Sequence, residues 1–345
     1  MSSHAHPRPV RRARRAQRDR APLARALWMV VVVVAAGVLL SDRLDLLVRL
    51  GLGFYPVPYA ALAITAAYVG ALGNRIGTYP LVATGLGLGL GAAAKLTEEP
   101  VVVAGVAVGT AVVAGVLAVM ETVPASGFVA TVREVVLAAV TAGVGALAVA
   151  TYRTDIDPVR FRYVVLGAGV VLTLVLVNGL GAGLHGLGRR GLLVLGLGTL
   201  LLVGAVAYGE ALSRWGSAEI VNTIEALRST IRSNAGAVPH PIQALVGYPA
   251  LAWGVFMRAR RRQGWWVSAF GVAATLTTAC MFVDPTISDR RALLGELYSL
   301  GLGLVVGYVV IRLDLFFTGP RGRRARQDEA AHAHRPEPGR SRALR

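Results

Sequence analysis

Apolar segments of about 20 residues recur along nearly the whole chain, from about Ala24 to about Arg312, and only short connections separate them. A helix of about 20 residues matches the hydrocarbon core of a bilayer, roughly 30 Å thick. No water-soluble domain can use such a succession. The pattern predicts an all-α fold, a polytopic integral membrane helix bundle of about ten transmembrane spans. They fall at about 24–40, 56–73, 79–95, 100–120, 131–150, 162–184, 189–208, 239–257, 263–283 and 292–312. Prolines stand at or near many of these ends, including Pro56, Pro80, Pro100, Pro158 and Pro239, where a helix loses a backbone donor at little cost. The longest polar-leaning internal stretch, about Gly209 to His240, is too short to bury a core of its own. One membrane domain over 24–317 is expected, with basic disordered tails at 1–23 and 318–345.

Charge placement sets the expected orientation. Of the net +17, +7 lies in residues 1–25, +5 in 318–345 and +4 at Arg258, Arg260, Arg261 and Arg262. The basic charge therefore collects at the ends and in one short loop. By the positive-inside rule both termini face the cytoplasm of a cell membrane. There the tails attract anionic headgroups. No aromatic side chain interleaves with the Arg clusters of either tail, so nucleic acid is not an expected partner. The sparing use of Lys (Lys95 alone) fits a high-GC bacterial genome. Cys280 is the single cysteine and excludes an intramolecular disulfide.

One segment differs from the spans. Between Ser217 and Asn234, Ile220, Val221, Ile224, Leu227 and Ile231 share a helical face, with Glu219, Glu225, Arg228 and Arg232 largely off it. This predicts an amphipathic outer helix over about 217–234, capped by Ser217.

The residues that could carry chemistry are few. An ionisable side chain inside a membrane is costly and is a functional candidate by default. Glu121, Arg133 and Glu134 flank a turn around Pro124, and Glu296 sits near an outer helix end. Asn178 is the deepest strongly polar side chain. These five are the candidates for a substrate pathway. The depletion of midplane carboxylates argues against a proton or sodium pump. Asp42 with Asp45, and Asp155 with Asp157, lie in outer loops and are read as solvated. No metal site, cofactor or catalytic residue is expected: the chain lacks Walker, H-E-x-x-H, G-x-S-x-G and CxxC patterns. Leu245-Val246-Gly247-Tyr248-Pro249 lacks the residues a potassium filter needs.

Glycines four residues apart are frequent: Gly85 with Gly89, Gly105 with Gly109, Gly179 with Gly183, Gly303 with Gly307. Small residues at this spacing let helix backbones approach closely. They are expected at helix-packing seams, within the chain or in a homo-oligomer.

In span count and orientation alone the chain is similar to transporters of two inverted five-helix halves, such as the drug/metabolite transporter superfamily. Residues 24–150 and 162–312 show no repeat. Three functions remain in order of preference: a non-enzymatic permease for a neutral or lipid-like molecule, a structural or regulatory subunit with a membrane protein partner, and an envelope enzyme on a lipid-linked substrate. The orientation has a direct check. A single cysteine at Ser217 should react with an impermeant thiol reagent in intact cells, and one at Gln263 should not. The reverse pattern would invert the topology.

Overall fold

Each apolar segment forms a helix, and proline opens several of them. A computed structural model of the chain describes residues 9–49, 55–180, 188–260, 264–318 and 337–344. In chain order the elements are α1 (Pro9–Arg43), α2 (Leu46–Arg49), α3 (Val57–Arg75), α4 (Pro80–Thr97), α5 (Pro100–Met120), α6 (Phe128–Thr151) and α7 (Pro158–Gly179). Then follow α8 (Gly188–Trp215), α9 (Ala218–Ala235), a π-helix (Ile242–Gly247), α10 (Tyr248–Arg258), α11 (Gly264–Phe270), α12 (Val272–Val283) and α13 (Asp289–Thr318). Proline occupies the first turn of α3, α4, α5, α7 and α10, where its missing N–H has no partner to lose. No strand occurs among the described residues.

The chain is a polytopic membrane helix bundle. Among the described residues, eight helical stretches are long and apolar enough to cross a bilayer. The sequence pattern suggested ten. Of the other two, 189–208 lies within α8, where Gly196–Ala207 is a shorter apolar stretch. The segment 239–257 is divided at Gly247 into the π-helix and α10. The sixth expected span ends early, at Gly179. The amphipathic segment forms α9, with Ser217 Oγ accepting from Ile220 N at 3.4 Å, and none of its side chains is buried. At the N-terminus the backbone is helical from Pro9, inside the stretch expected to be disordered. Its Arg, Ala and Gln residues are good helix formers, which explains the difference.

The packing is that of a lipid-embedded protein. The core is built largely from Ala, with Val, Leu and Thr, while large Leu and Val side chains on α1, α4, α8 and α13 point outward. Helices α11 and α12 run through the middle, and α12 packs on α5, α6, α7 and the π-helix. Leu276 of α12 is fully buried between two glycines. A Cβ at Gly115 of α5 would lie 2.5 Å from its Cδ2, and one at Gly169 of α7 would lie 2.3 Å from its Cδ1. Thr275 Oγ1 donates to Gly115 O at 2.9 Å across the same contact. At the periphery Trp28 Nε1 of α1 donates to Ala67 O of α3 at 3.0 Å.

The glycine seams divide into two groups. Gly303 and Gly307 of α13 sit against Tyr248 and Ala252 of α10, with added Cβ atoms at 2.6 and 2.9 Å. Among the described residues, nothing lies within 4 Å of a Cβ added at Gly85, Gly89, Gly105 or Gly109. Gly179 closes α7 and Gly183 lies outside the described residues. At Gly247, on the π-helix, an added Cβ would stand 2.4 Å from the backbone nitrogen of Ala274 on α12. Gly247→Ala is therefore expected to destabilise by about 1–3 kcal/mol through overpacking. Gly105→Ala, with open space around it, is expected to be neutral or to gain up to about 1 kcal/mol in helix propensity. Thermal unfolding of the two variants in detergent checks the contrast.

Candidate functional site

Among the described residues, three polar groupings interrupt the apolar bundle, one at each end and one inside. At the end that carries Asp42, helices α1, α3, α4 and α5, the α6–α7 connection and the end of α12 surround an open cavity of about 1370 Å³. Ligand pockets usually measure about 300–1,000 Å³, so this one is a vestibule rather than a fitted pocket. Its walls are apolar and small, among them Val57, Ala61, Gly91 and Val103. Its rim is charged, with Arg43, Lys95 and Arg153 set among Asp42, Glu98, Asp155 and Asp157. The signs nearly cancel, so the opening does not focus charge of one sign.

Tyr152 lines the vestibule, and its hydroxyl is 2.8 Å from Thr65 Oγ1, which is 3.1 Å from Thr110 Oγ1. Of these three side chains only Tyr152, at the end of α6, lines the vestibule; Thr65 of α3 and Thr110 of α5 are buried behind it. Burial raises the Tyr152 phenol above its ordinary range, against the opposing effect of the threonine hydroxyls, so it stands there neutral.

The rim is held by unusual backbone. Glu98 (φ 51°), Arg153 (φ 46°) and Asp45 (φ 55°) are the non-glycine residues with positive φ among those described. Each follows a helix at this end, at or near the position where glycine commonly terminates a helix. A left-handed non-glycine residue costs about 1 kcal/mol or more. Here that position carries a charged side chain instead, and two of the three line the vestibule. Arg43 Nη1 pairs with Asp289 at 3.1 Å and ties α1 to the start of α13. Asp42 accepts from Tyr55 OH at 3.2 Å. Asp157 caps α7, accepting from Val159 N and Arg160 N at 3.0 Å, so its carboxylate serves the helix.

The opposite end is closed. Arg75, at the last turn of α3, is 1 % exposed. Its Nε donates to Met120 O at 2.7 Å, and its Nη1 donates to Gly339 O and Arg342 O at 2.9 and 2.7 Å. Leu344 N in turn donates to Arg75 O at 2.9 Å. Arg340 Nη2 lies 2.9 and 3.0 Å from the two oxygens of Glu134, which also accepts from Val123 N and from Arg133. Arg258, fully buried, bonds Thr122 through both terminal nitrogens at 2.7 Å and pairs with Glu337 at 2.8 Å. Its guanidinium stacks 3.6 Å from the Trp265 ring. The C-terminal residues 337–344 thus lie docked, where the sequence led us to expect a disordered tail throughout. The partners explain it: buried arginines need acceptors, and the tail supplies backbone carbonyls and a carboxylate.

Glu121 and Glu134, neighbours of one turn in the sequence, belong to this network, whereas Arg133 is largely exposed and touches only its edge through Glu134. Glu121 accepts from Thr141 Oγ1. Asn178 is exposed in the last turn of α7, because that helix stops at Gly179, and it joins none of the groupings. Glu296 is not a surface residue free to snorkel. It is 8 % exposed and enclosed by Gln243, Tyr248 and Thr278. Sequence reasoning passed over Arg75, Gln243, Thr65 and Thr110. Arg75 had a signal, a lone cation closing an apolar helix; the hydroxyls and the amide had none. Among the described residues no cluster of metal-ligating side chains occurs.

Compared with protein-family models, curated proteins and solved structures, the chain matches none of them.

The Arg75 end yields a pH prediction. Burial raises the Glu121 carboxyl from 4.5 to about 7, opposed by the Thr141 hydroxyl and then by Arg340 and Arg75. The folded state therefore holds this proton more tightly than the unfolded one. The associated stability is fully present below pH 4.5 and is lost as pH rises through about 7. Its size is on the order of 3 kcal/mol. Thermal unfolding of wild type should weaken across this window, and Glu121→Gln should flatten that dependence.

Proposed function

We propose that the protein is a permease-like transporter of a neutral or zwitterionic amphipathic small molecule, with the vestibule as its entry. The observation that carries this reading is a cavity of about 1370 Å³ whose rim charges nearly cancel and whose wall combines small apolar residues with the Tyr152 side chain. A rim of mixed sign does not favour an ion of one charge. It does suit a solute with both polar and apolar faces. The charged residues kept at left-handed helix ends support the same reading, since glycine would hold those turns at lower cost.

In this proposal the vestibule opens outward, the Arg75 end faces the cytoplasm with both termini, and the membrane is the cell membrane. The basic tails and the Arg258–Arg262 loop support that orientation. Anionic headgroups are the partners of the basic tails in this reading.

A second reading, a subunit of a membrane assembly, has one observation in its favour. Gly85 with Gly89 and Gly105 with Gly109 present small-residue stripes that no described residue covers.

The test uses proteoliposomes and a panel of neutral, zwitterionic and charged solutes. Asp155→Cys places a thiol on the exposed rim, whereas native Cys280 is buried. Flux of a neutral or zwitterionic solute should exceed that of empty vesicles. It should fall when a bulky disulfide-forming reagent is attached at position 155 and return when reductant removes it. Flux equal to empty vesicles for every solute would exclude the permease reading and leave the assembly subunit.

A further inference from the structure

The buried grouping around Glu296 belongs neither to the vestibule nor to the closed end. Glu296 lies seven residues into α13, about 10 Å along the helix from Asp289. Gln243 Nε2, from the π-helix, donates to Glu296 Oε2 at 2.6 Å. Thr278 Oγ1, from α12, donates to the same oxygen at 2.9 Å. Tyr248 OH, at the start of α10, donates to Oε1. Four segments therefore converge on one carboxyl group. Among the described residues, no Lys, Arg or His makes an ion pair with it. A buried carboxylate without a counter-charge is expensive in an apolar interior.

The surrounding groups accommodate either state of that carboxyl. As an anion it takes three donated hydrogen bonds. As an acid it needs an acceptor, and the hydroxyls of Tyr248 and Thr278 can turn from donor to acceptor. Thr278 has an alternative acceptor for its own proton in Ala274 O, at 3.3 Å. The grouping also holds an unmatched acceptor: among the described residues, buried Gln243 Oε1 has no hydrogen-bond partner. An unmatched buried acceptor costs about 1–3 kcal/mol, and a proton entering the grouping adds the donor that is missing. The π-helix that carries Gln243 is itself a rare conformation, frequent at functional sites.

We propose that Glu296, with Tyr248, Gln243 and Thr278, is a proton-binding site within the membrane-embedded bundle. The reaction is the formation of one O–H bond on the Glu296 carboxylate with a proton from hydronium, which is left as water, and its reversal. It goes beyond the permease reading and does not rest on it. The titratable groups around the site are Tyr248, at the junction of the π-helix and α10, and His240 in the preceding turn. Cys280 stands two residues beyond Thr278 on α12. Arg162 of α7 and Arg228 of α9 are the cations whose charge reaches His240. Ser299, one turn along α13 from Glu296, accepts from His240 N at 2.7 Å and links that turn to the site.

Infrared difference spectra of the full-length protein in detergent, acid minus alkaline, test the proposal without reference to any solute; all variants are compared in a Glu121→Gln background, so that the other buried carboxyl is silent. With Glu296 present, this background should show a carbonyl band of a water-shielded carboxylic acid that appears on acidification. Glu296→Gln should lose that band, and Tyr248→Phe should keep it with a shifted midpoint. If Glu296→Gln is monodisperse and removes no titrating band, the proposal is overturned. Should Glu296→Gln fail to fold, Tyr248→Phe and Thr278→Val keep the carboxyl and decide the matter. A band that titrates identically to that of the background in both overturns it equally. Failure of solute flux in vesicles would leave this result standing, so the two proposals fail separately.

Discussion

A helix surrounded by lipid gains nothing by exchanging lipid tails for apolar side chains, so helices in a bilayer associate only where their surfaces fit closely. The centre of this protein is arranged by that constraint. Leu276 is seated between Gly115 and Gly169, and the backbone at Gly247 rests on that of Ala274. Small residues fill the interior and large aliphatic ones face outward, the reverse of a soluble core. The close approach of α12 to α5, α7 and the π-helix fixes where every polar side chain on those elements ends up.

The polar groups follow from that packing. Along the lipid-facing surface they are scarce, and at the helix ends they gather. At the Asp42 end the helix termini splay around a vestibule, and three charged residues take left-handed backbone positions there. At the Arg75 end the same kind of residue meets the opposite treatment. Arg75 and Arg258 are buried, and buried cations require acceptors, so the chain brings its own C-terminal residues back to supply them. One end is open and charged at its rim; the other is filled by the tail.

Particular residues show what could be read in advance and what could not. The apolar segments, their proline starts and the helix at 218–235 were legible, because periodicity and helix-end chemistry act over a few neighbouring residues. Glu121 and Glu134 were legible as a pair, being separated by a single turn around Pro124. The docking of 337–344 was not, since its bonds are largely to backbone carbonyls, which every sequence possesses. Asn178 looked deep only because α7 looked longer than it is. Glu296 looked peripheral because its distance from Asp289 is short, although that distance says nothing of what covers it. Its cover comes from Gln243, Tyr248 and Thr278, distant in sequence and carried by three other segments.

By itself the sequence determined that this chain is a multi-span helical membrane protein. A helix satisfies its own backbone hydrogen bonds, so length and apolarity suffice to specify one in a bilayer. Tertiary structure alone decided which glycines are packed and which are open, that the vestibule exists, that the tail closes one end, and that one carboxyl lies enclosed within the bundle. Each of these depends on which helix faces which. That choice is made by the fit of small residues across contacts between segments far apart in the chain, and no local pattern records it.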